Sequence, residues 1–262
     1  MSDSLLQQRD GAVARLRLNR PDLHNAFDAE LIAALTMALS ELGSDPGVRV
    51  VVLEGAGASF SAGADLHWMR GMASASEAEN RDDALALARL LRTLDELPKP
   101  TIASVHGAAF GGGVGLVAAC DIAIGVQEAK FGLTESKLGL LPAVISPYVI
   151  AAIGARQARR WFATAERFDA YEAHRIGLVH QVVTDEPALD TAVQQQIDLL
   201  LQAGPVAAAT AKALVRRVAG AGDAQRTDAD NAALIASLRV SPEGQEGLAA
   251  FLGKRRPAWT ES

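Results

Sequence analysis

Three short apolar runs, VRVVVLE (48–54), TIASV (101–105) and DIAIGV (121–126), alternate with segments of helical periodicity. Apolar strands separated by helices are the pattern of a parallel sheet whose strands are joined by helical crossovers. An earlier run, AVARLRL (12–18), alternates in polarity and leads into a turn at Pro21. DAELIAALTMALSELG (28–43) reads as a helix, with Asp28 as its N-cap and Gly43 as its stop. Between it and the next helix lies the small-residue stretch GAGASFSAGAD, read as a loop. A long helix falls within 77–97, ahead of Pro98 and Pro100, and a short one ends near Cys120. Past about residue 187 the periodicity is mostly helical, including PVAAATAKALVRRVAG and PEGQEGLAAFLGKRR. The reading is an α/β core over residues 1–203 and a helical region over 204–262.

Composition narrows the function. A net charge of −6 gives no broad basic surface, which argues against nucleic acid as a partner and leaves an anionic small ligand open. Cys120 is the single cysteine, so no intrachain disulfide forms. The start MSDSLLQQRDG lacks a basic and then apolar leader, and no apolar run is long enough for a membrane span. A cytoplasmic location is the expectation. The five histidines show no metal-ligand spacing, and no metal is predicted.

The glycine cluster in SVHGAAFGGGVGLVAACD (104–121) poses the sharpest question. Gly113 to Ala118 fits the G-x-G-x-x-A dinucleotide fingerprint, but His106 to Gly112 separate it from the strand end, where that fingerprint belongs. Close strand–helix packing is the simpler alternative. The third reading is an anion site, because bare backbone N–H groups at a helix start attract negative charge. SFSAGADL (59–66) offers a second such start at Gly63 and Ala64, running into a helix through HWMRGM. Two donors on one oxygen make an oxyanion hole. Spacing alone does not bring the two loops together.

Five ordered motifs carry a resemblance: RLNRPDLHNAFD, SFSAGADL, HGAAFGGGVGLVAACD, AKFGLTESKLGLLPA and AAFLGKRRPAW. Together they span nearly the whole chain, and it resembles the enoyl-CoA hydratase/isomerase (crotonase) superfamily. The resemblance implies a ClpP-like spiral of ββα units and a C-terminal helical trimerisation region, giving a homotrimer or a hexamer of paired trimers. It implies an acyl-CoA thioester as substrate, with coenzyme A part of that substrate and no separate cofactor. The oxyanion donors map to the backbone N–H groups of Ala64 and Gly112, and the acid/base to Glu135. Ala62, Asp65 and Leu66 fall at the coenzyme A contacts, and Phe251 and Lys254 at those supplied by a neighbouring subunit. A solvated cationic end at GKRR is the plainer reading of Lys254.

One position departs from the pattern. Hydratases of the superfamily commonly use two glutamates around a water, and the second falls on Gly115. Hydration needs a base for the water and an acid for C2, whereas a Δ3–Δ2 isomerase needs only one shuttle between C2 and C4. Against the isomerase stand GADLHWM and TESKLGLLPAVISPYVI, which resemble bacterial hydratases of branched, carboxylated acyl-CoAs such as 3-methylglutaconyl-CoA in leucine breakdown and γ-carboxygeranoyl-CoA in terpene breakdown. Hydratase is the first reading, isomerase the second, and an inactive CoA-binding scaffold the alternative outside enzymology. Trp68, Met69, Gly115 and Tyr148 are the candidate acyl pocket. A water in the space vacated at Gly115, or a carboxylate of the substrate, would replace the missing contact. Arg70 and Arg156 are candidate partners for that substrate carboxylate. His67 reads as a surface residue and His106 as a backbone-bonding one.

Overall fold

The computed structural model describes residues 4–260. A hairpin of β1 (Leu5–Asp10) and β2 (Val13–Leu18) precedes α1 (Ala29–Ser44), β3 (Val50–Gly55), β4 (Ser59–Ser61), α2 (Leu66–Ser74) and α3 (Glu77–Asp95). The centre holds β5 (Thr101–Val105), β6 (Ala108–Phe110), α4 (Gly112–Ala119), β7 (Ile122–Val126), β8 (Lys130–Gly132) and α5 (Ser146–Thr164). Then come β9 (Arg167–Asp169), α6 (Ala170–Arg175), β10 (Gln181–Val183) and α7 (Glu186–Gln202). Three helices close the chain: α8 (Pro205–Ala219), α9 (Ala224–Val240) and α10 (Pro242–Leu252).

Successive strands go to different sheets. β3, β5 and β7 enter a six-stranded sheet of order β1-β2-β3-β5-β7-β10, while β4, β6 and β8 enter a four-stranded sheet of order β4-β6-β8-β9. From β2 to β10 the large sheet is parallel throughout. The small one is parallel from β4 to β8 and closes antiparallel on β9. Each turn of chain thus lays one strand in each sheet and returns through a helix, which is the spiral of ββα units. The apolar runs form the strands of the large sheet because both of its faces are covered: Val50 to Leu53 are all buried.

The stretch read as a loop contains β4, whose three residues are too few to show a period. Asp28 caps α1 as expected, accepting from the Leu31 N–H at 2.8 Å. The helix runs past Gly43 to Ser44; Gly43 instead allows close packing, since a Cβ there would stand 3.1 Å from Leu97 Cδ1. At the other end α10 stops at Leu252, so GKRR lies beyond the helix, with Lys254 in left-handed backbone (φ 52°).

The terminal helices are thinly packed on the rest of the chain. Neither α8 nor α9 contains a buried residue, and Val215, Val240, Phe251 and Leu252 are exposed. Polar contacts hold this region, among them Arg216 on Glu96 at 2.8 Å. Lys212 Nζ pairs with Asp121 at 2.8 Å. The Arg49 guanidinium donates to the carbonyls of Leu201, Ala203 and Trp259.

Candidate active site

The loop after β4 is built by the segment that precedes α1. Asn25, fully buried, donates to the carbonyls of Ala56 and Ser59 at 2.8 and 2.7 Å. Phe27 N–H donates to the Gly63 carbonyl at 2.6 Å, and Asp65 N–H donates back to the Phe27 carbonyl at 2.8 Å. Arg20 reaches across to Asp28 and Asp65 at 2.9 and 3.0 Å. Asp65, 4% exposed, caps α2 by accepting from the N–H groups of His67 and Trp68. Burial alone would raise the Asp65 carboxyl, but those two N–H bonds and Arg20 outweigh it and hold the group below its ordinary value. This bracing leaves Ala64 between two tied residues, with its own N–H bonded to no acceptor among the described residues.

The three glycines before and at the start of α4 give up their side chains for three different neighbours. A Cβ at Gly113 would meet the Ser61 carbonyl oxygen at 2.5 Å, and one at Gly112 would meet the Phe27 ring at 2.6 Å. One at Gly111 would stand 3.3 Å from Glu135 Oε1, and Gly111 also has φ 49°, which favours glycine. The two loops do meet: a Cβ built on Gly63 lies 3.5 Å from Gly112 N. Gly112 N–H opens α4 and, like that of Ala64, is bonded to no acceptor among the described residues. Two open donors therefore lie in loops that touch one another.

Glu135 stands beside these loops. It begins a short 3-10 turn, Glu135–Leu138, pinned by Leu140 N–H on the Glu135 carbonyl (3.1 Å) and by the Ser136 hydroxyl on the Phe162 carbonyl. Its Oε1 lies over Gly111, while Oε2 is buried without a hydrogen-bond partner. Desolvation pushes the carboxyl up from its usual range. A carboxyl raised by desolvation, with one oxygen unpartnered, beside two free N–H groups can take and return a proton while an adjacent oxygen carries negative charge.

At Gly115 the structure corrects the sequence reading. The position is buried and not vacant: a Cβ there would overlap Ile145 Cγ2, with Ile145 Cβ at 3.0 Å and Leu91 Cδ2 at 3.6 Å. Ile145 thus stands where a side chain at 115 would begin, and Gly115 is a packing position. Asp65 is corrected too. Its carboxylate is committed to Arg20 and the α2 cap, so the side chain shapes the loop and is not free for a ligand.

The remaining predicted positions divide by burial. Ala62 has its N–H on the His24 carbonyl, and Leu66 is 70% exposed at the start of α2. Trp68 is half-buried, its Nε1 donating to Asp83 at 3.1 Å, and Met69 is half-buried beside it. Tyr148 packs on the core, and the charges that act on it are those of Asp95, Arg92, Glu96 and Arg216, not the Glu135 loop. Arg70, Arg156 and His67 are exposed, and His106 bonds the Gly57 carbonyl at 2.8 Å. Phe251 is 81% exposed and Lys254 exposed, on the last helix and the turn after it. Sequence reasoning missed the bracing roles of Arg20, Asn25 and Phe27, although the motif holding them was visible, and gave no signal for Ile145.

Comparison with known proteins identifies the family. A solved enoyl-CoA hydratase from Shewanella pealeana superposes with a TM-score of 0.94 at 46% identity, covering 98% of this chain and 96% of that one. An enoyl-CoA hydratase of Alternaria alternata is 36% identical, covering 97% of this chain and 83% of the relative. A crotonyl-CoA hydratase of Syntrophomonas wolfei is 32% identical, over 97% of this chain and 96% of the relative. Residues 8–262 match the family described as enoyl-CoA hydratase/isomerase. On this family match and these relatives, the chain belongs to the enoyl-CoA hydratase/isomerase family and has its crotonase fold.

Proposed function

We propose that this protein is a hydro-lyase that adds water across the C2=C3 bond of an enoyl-CoA thioester. One observation carries the reading: the unbonded N–H groups of Ala64 and Gly112 lie in loops that meet beside Glu135, whose Oε2 is buried and unpartnered. The relatives named above are hydratases, which favours hydration over isomerisation. In the proposed step the thioester oxygen sits between the two N–H groups. Ionised Glu135 takes a proton from water as the water oxygen bonds to C3, and the C2=C3 electrons pass into the enolate. Glu135 then returns that proton to C2, so the elements of one water are added and the carboxylate is regenerated. Coenzyme A enters as part of the substrate, and the step needs no further cofactor.

The preferred substrate is a branched, carboxylated enoyl-CoA such as 3-methylglutaconyl-CoA. With Gly115 in place of a second carboxylate and its surroundings filled by Ile145, the protein offers the attacking water one carboxylate only. A carboxylate on the acyl group supplies the other contact. Mass spectrometry of thioester panels tests this: 3-methylglutaconyl-CoA gains one water faster than crotonyl-CoA. Equal or reversed rates overturn the substrate class while leaving hydration in place.

The same reading makes the protein a homotrimer or a hexamer of two paired trimers. Its support is the unburied length of α8 and α9 and the exposed Val215, Val240, Phe251 and Leu252. In the assembly, Phe251 and Lys254 reach the coenzyme A of a neighbouring subunit, beside its Ala62 and Leu66. Multi-angle light scattering is expected to give three or six times the chain mass. A stable monomer at assay concentration would rule out the cross-subunit role of Lys254.

A further inference from the structure

The packing around Gly115 has a single principal cause. Ile145 Cγ2 occupies the place of a Gly115 side chain, Ile145 Cβ stands behind it, and Leu91 closes the far side. Both residues are buried, Ile145 at 3% exposure and Leu91 at none. Ile145 is the N-cap of α5, with helical φ/ψ (−84°, −14°) that any residue adopts, so the backbone does not demand isoleucine there. Its branched side chain is stiff about χ1 and does not swing away from α4 at low cost. Beside it, α4 carries Gly111 and Gly112 to the oxyanion space. Gly115 N–H bonds back to the Gly111 carbonyl at 3.2 Å, which ties this turn of helix directly to the site.

We propose that Ile145 is a specificity-determining residue: by closing the α4 face at Gly115 it keeps the site to one carboxylate and selects enoyl-CoA substrates that bring their own polar group to the water. The proposal rests on the hydratase reading and deepens it. Gly115 and Ile145 then form a complementary pair. A glutamate at 115 with isoleucine at 145 overpacks the α4–α5 contact, whereas with glycine at 145 the glutamate has space and stands as a second carboxylate.

A thermal double-mutant cycle tests the packing first. Gly115→Ala is expected to lower the melting temperature by about 2–10 °C in the natural background, the range for a core overpacked by one methyl in a chain of this size. In the Ile145→Gly background the same change should cost no more than about 1 °C, since coupled neighbours are non-additive. The second arm measures kcat/KM and its pH profile with crotonyl-CoA. Gly115→Glu/Ile145→Gly should exceed Ile145→Gly alone by at least about tenfold, short of the 10²–10⁴-fold of a fully positioned acid or base, and add an ionisation to the profile. An equal Gly115→Ala cost in both backgrounds, or no cost in either, overturns the proposal. So does a folded Gly115→Glu/Ile145→Gly enzyme with unchanged rate and profile. A doubly substituted chain that does not fold counts against it too, because more than Ile145 then closes the space. The thermal arm needs no substrate, so its failure is distinct from failure of the natural protein to hydrate any enoyl-CoA.

Discussion

Glu135→Gln is expected to give a folded protein that binds enoyl-CoA and scarcely hydrates it. The amide keeps the shape and the hydrogen-bonding capacity of the carboxyl but cannot accept and return a proton, and the loss should be about 10²–10⁴-fold in kcat. The KM should move little, because the thioester oxygen is held by backbone donors. Burial raises the Glu135 carboxyl, so the acidic limb of the natural enzyme's kcat/KM profile should lie above the ordinary glutamate range, with activity rising as Glu135 ionises. The stability effect has the opposite sense to the activity effect. A carboxyl raised in the folded state binds more protons there than when unfolded, so stability falls as pH climbs between the unfolded and folded values. At neutral pH the charged form is a cost that glutamine removes, and Glu135→Gln should melt slightly higher than the natural protein. Calorimetry alongside stopped-flow assays checks both. Activity within about tenfold of normal would place the acid/base elsewhere.

Gly112→Pro should lose more activity than Gly112→Ala, and the ratio isolates the donor. Both substitutions place a Cβ against the Phe27 ring, at 2.6 Å from Cε2, so both strain the loop. Only proline also removes the N–H. Loss of one oxyanion donor costs about 10²–10³-fold in kcat, and that factor is expected between the two variants. Gly111→Ala is no mild control. It puts a Cβ 3.3 Å from Glu135 Oε1 at a residue with φ 49°, and so disturbs the acid/base and strains the turn together. Folded Gly112→Pro and Gly112→Ala proteins with equal turnover would remove Gly112 from the mechanism.

What could be read from the sequence follows physical scale. The strands β3, β5 and β7 announce themselves as apolar runs because both faces of their sheet are covered, and α3 is bounded by a capping box at Ser76 and by Pro98. The strands β4, β6 and β8 are three residues each, too short for a period, so the second sheet and the spiral came only from the family resemblance. The donors at Ala64 and Gly112 were legible as bare helix starts. Their convergence was not, because it depends on Asn25 and Phe27 bracing the loop from another part of the chain. Gly115 shows the same limit. A missing side chain reads equally as open space or as tight packing until the neighbour, Ile145, is known. The motif at Asp65 points to a ligand, whereas its carboxylate is held by Arg20 and two N–H groups.

The most direct test of the account is the fate of water oxygen. With the natural enzyme in oxygen-18 water and 3-methylglutaconyl-CoA as substrate, the account predicts label at C3 of the product, and loss of that labelling with Glu135→Gln. A 3-enoyl-CoA converted rapidly to its 2-isomer, with no labelled oxygen in any product from any thioester, would contradict it and make Glu135 a shuttle between C2 and C4.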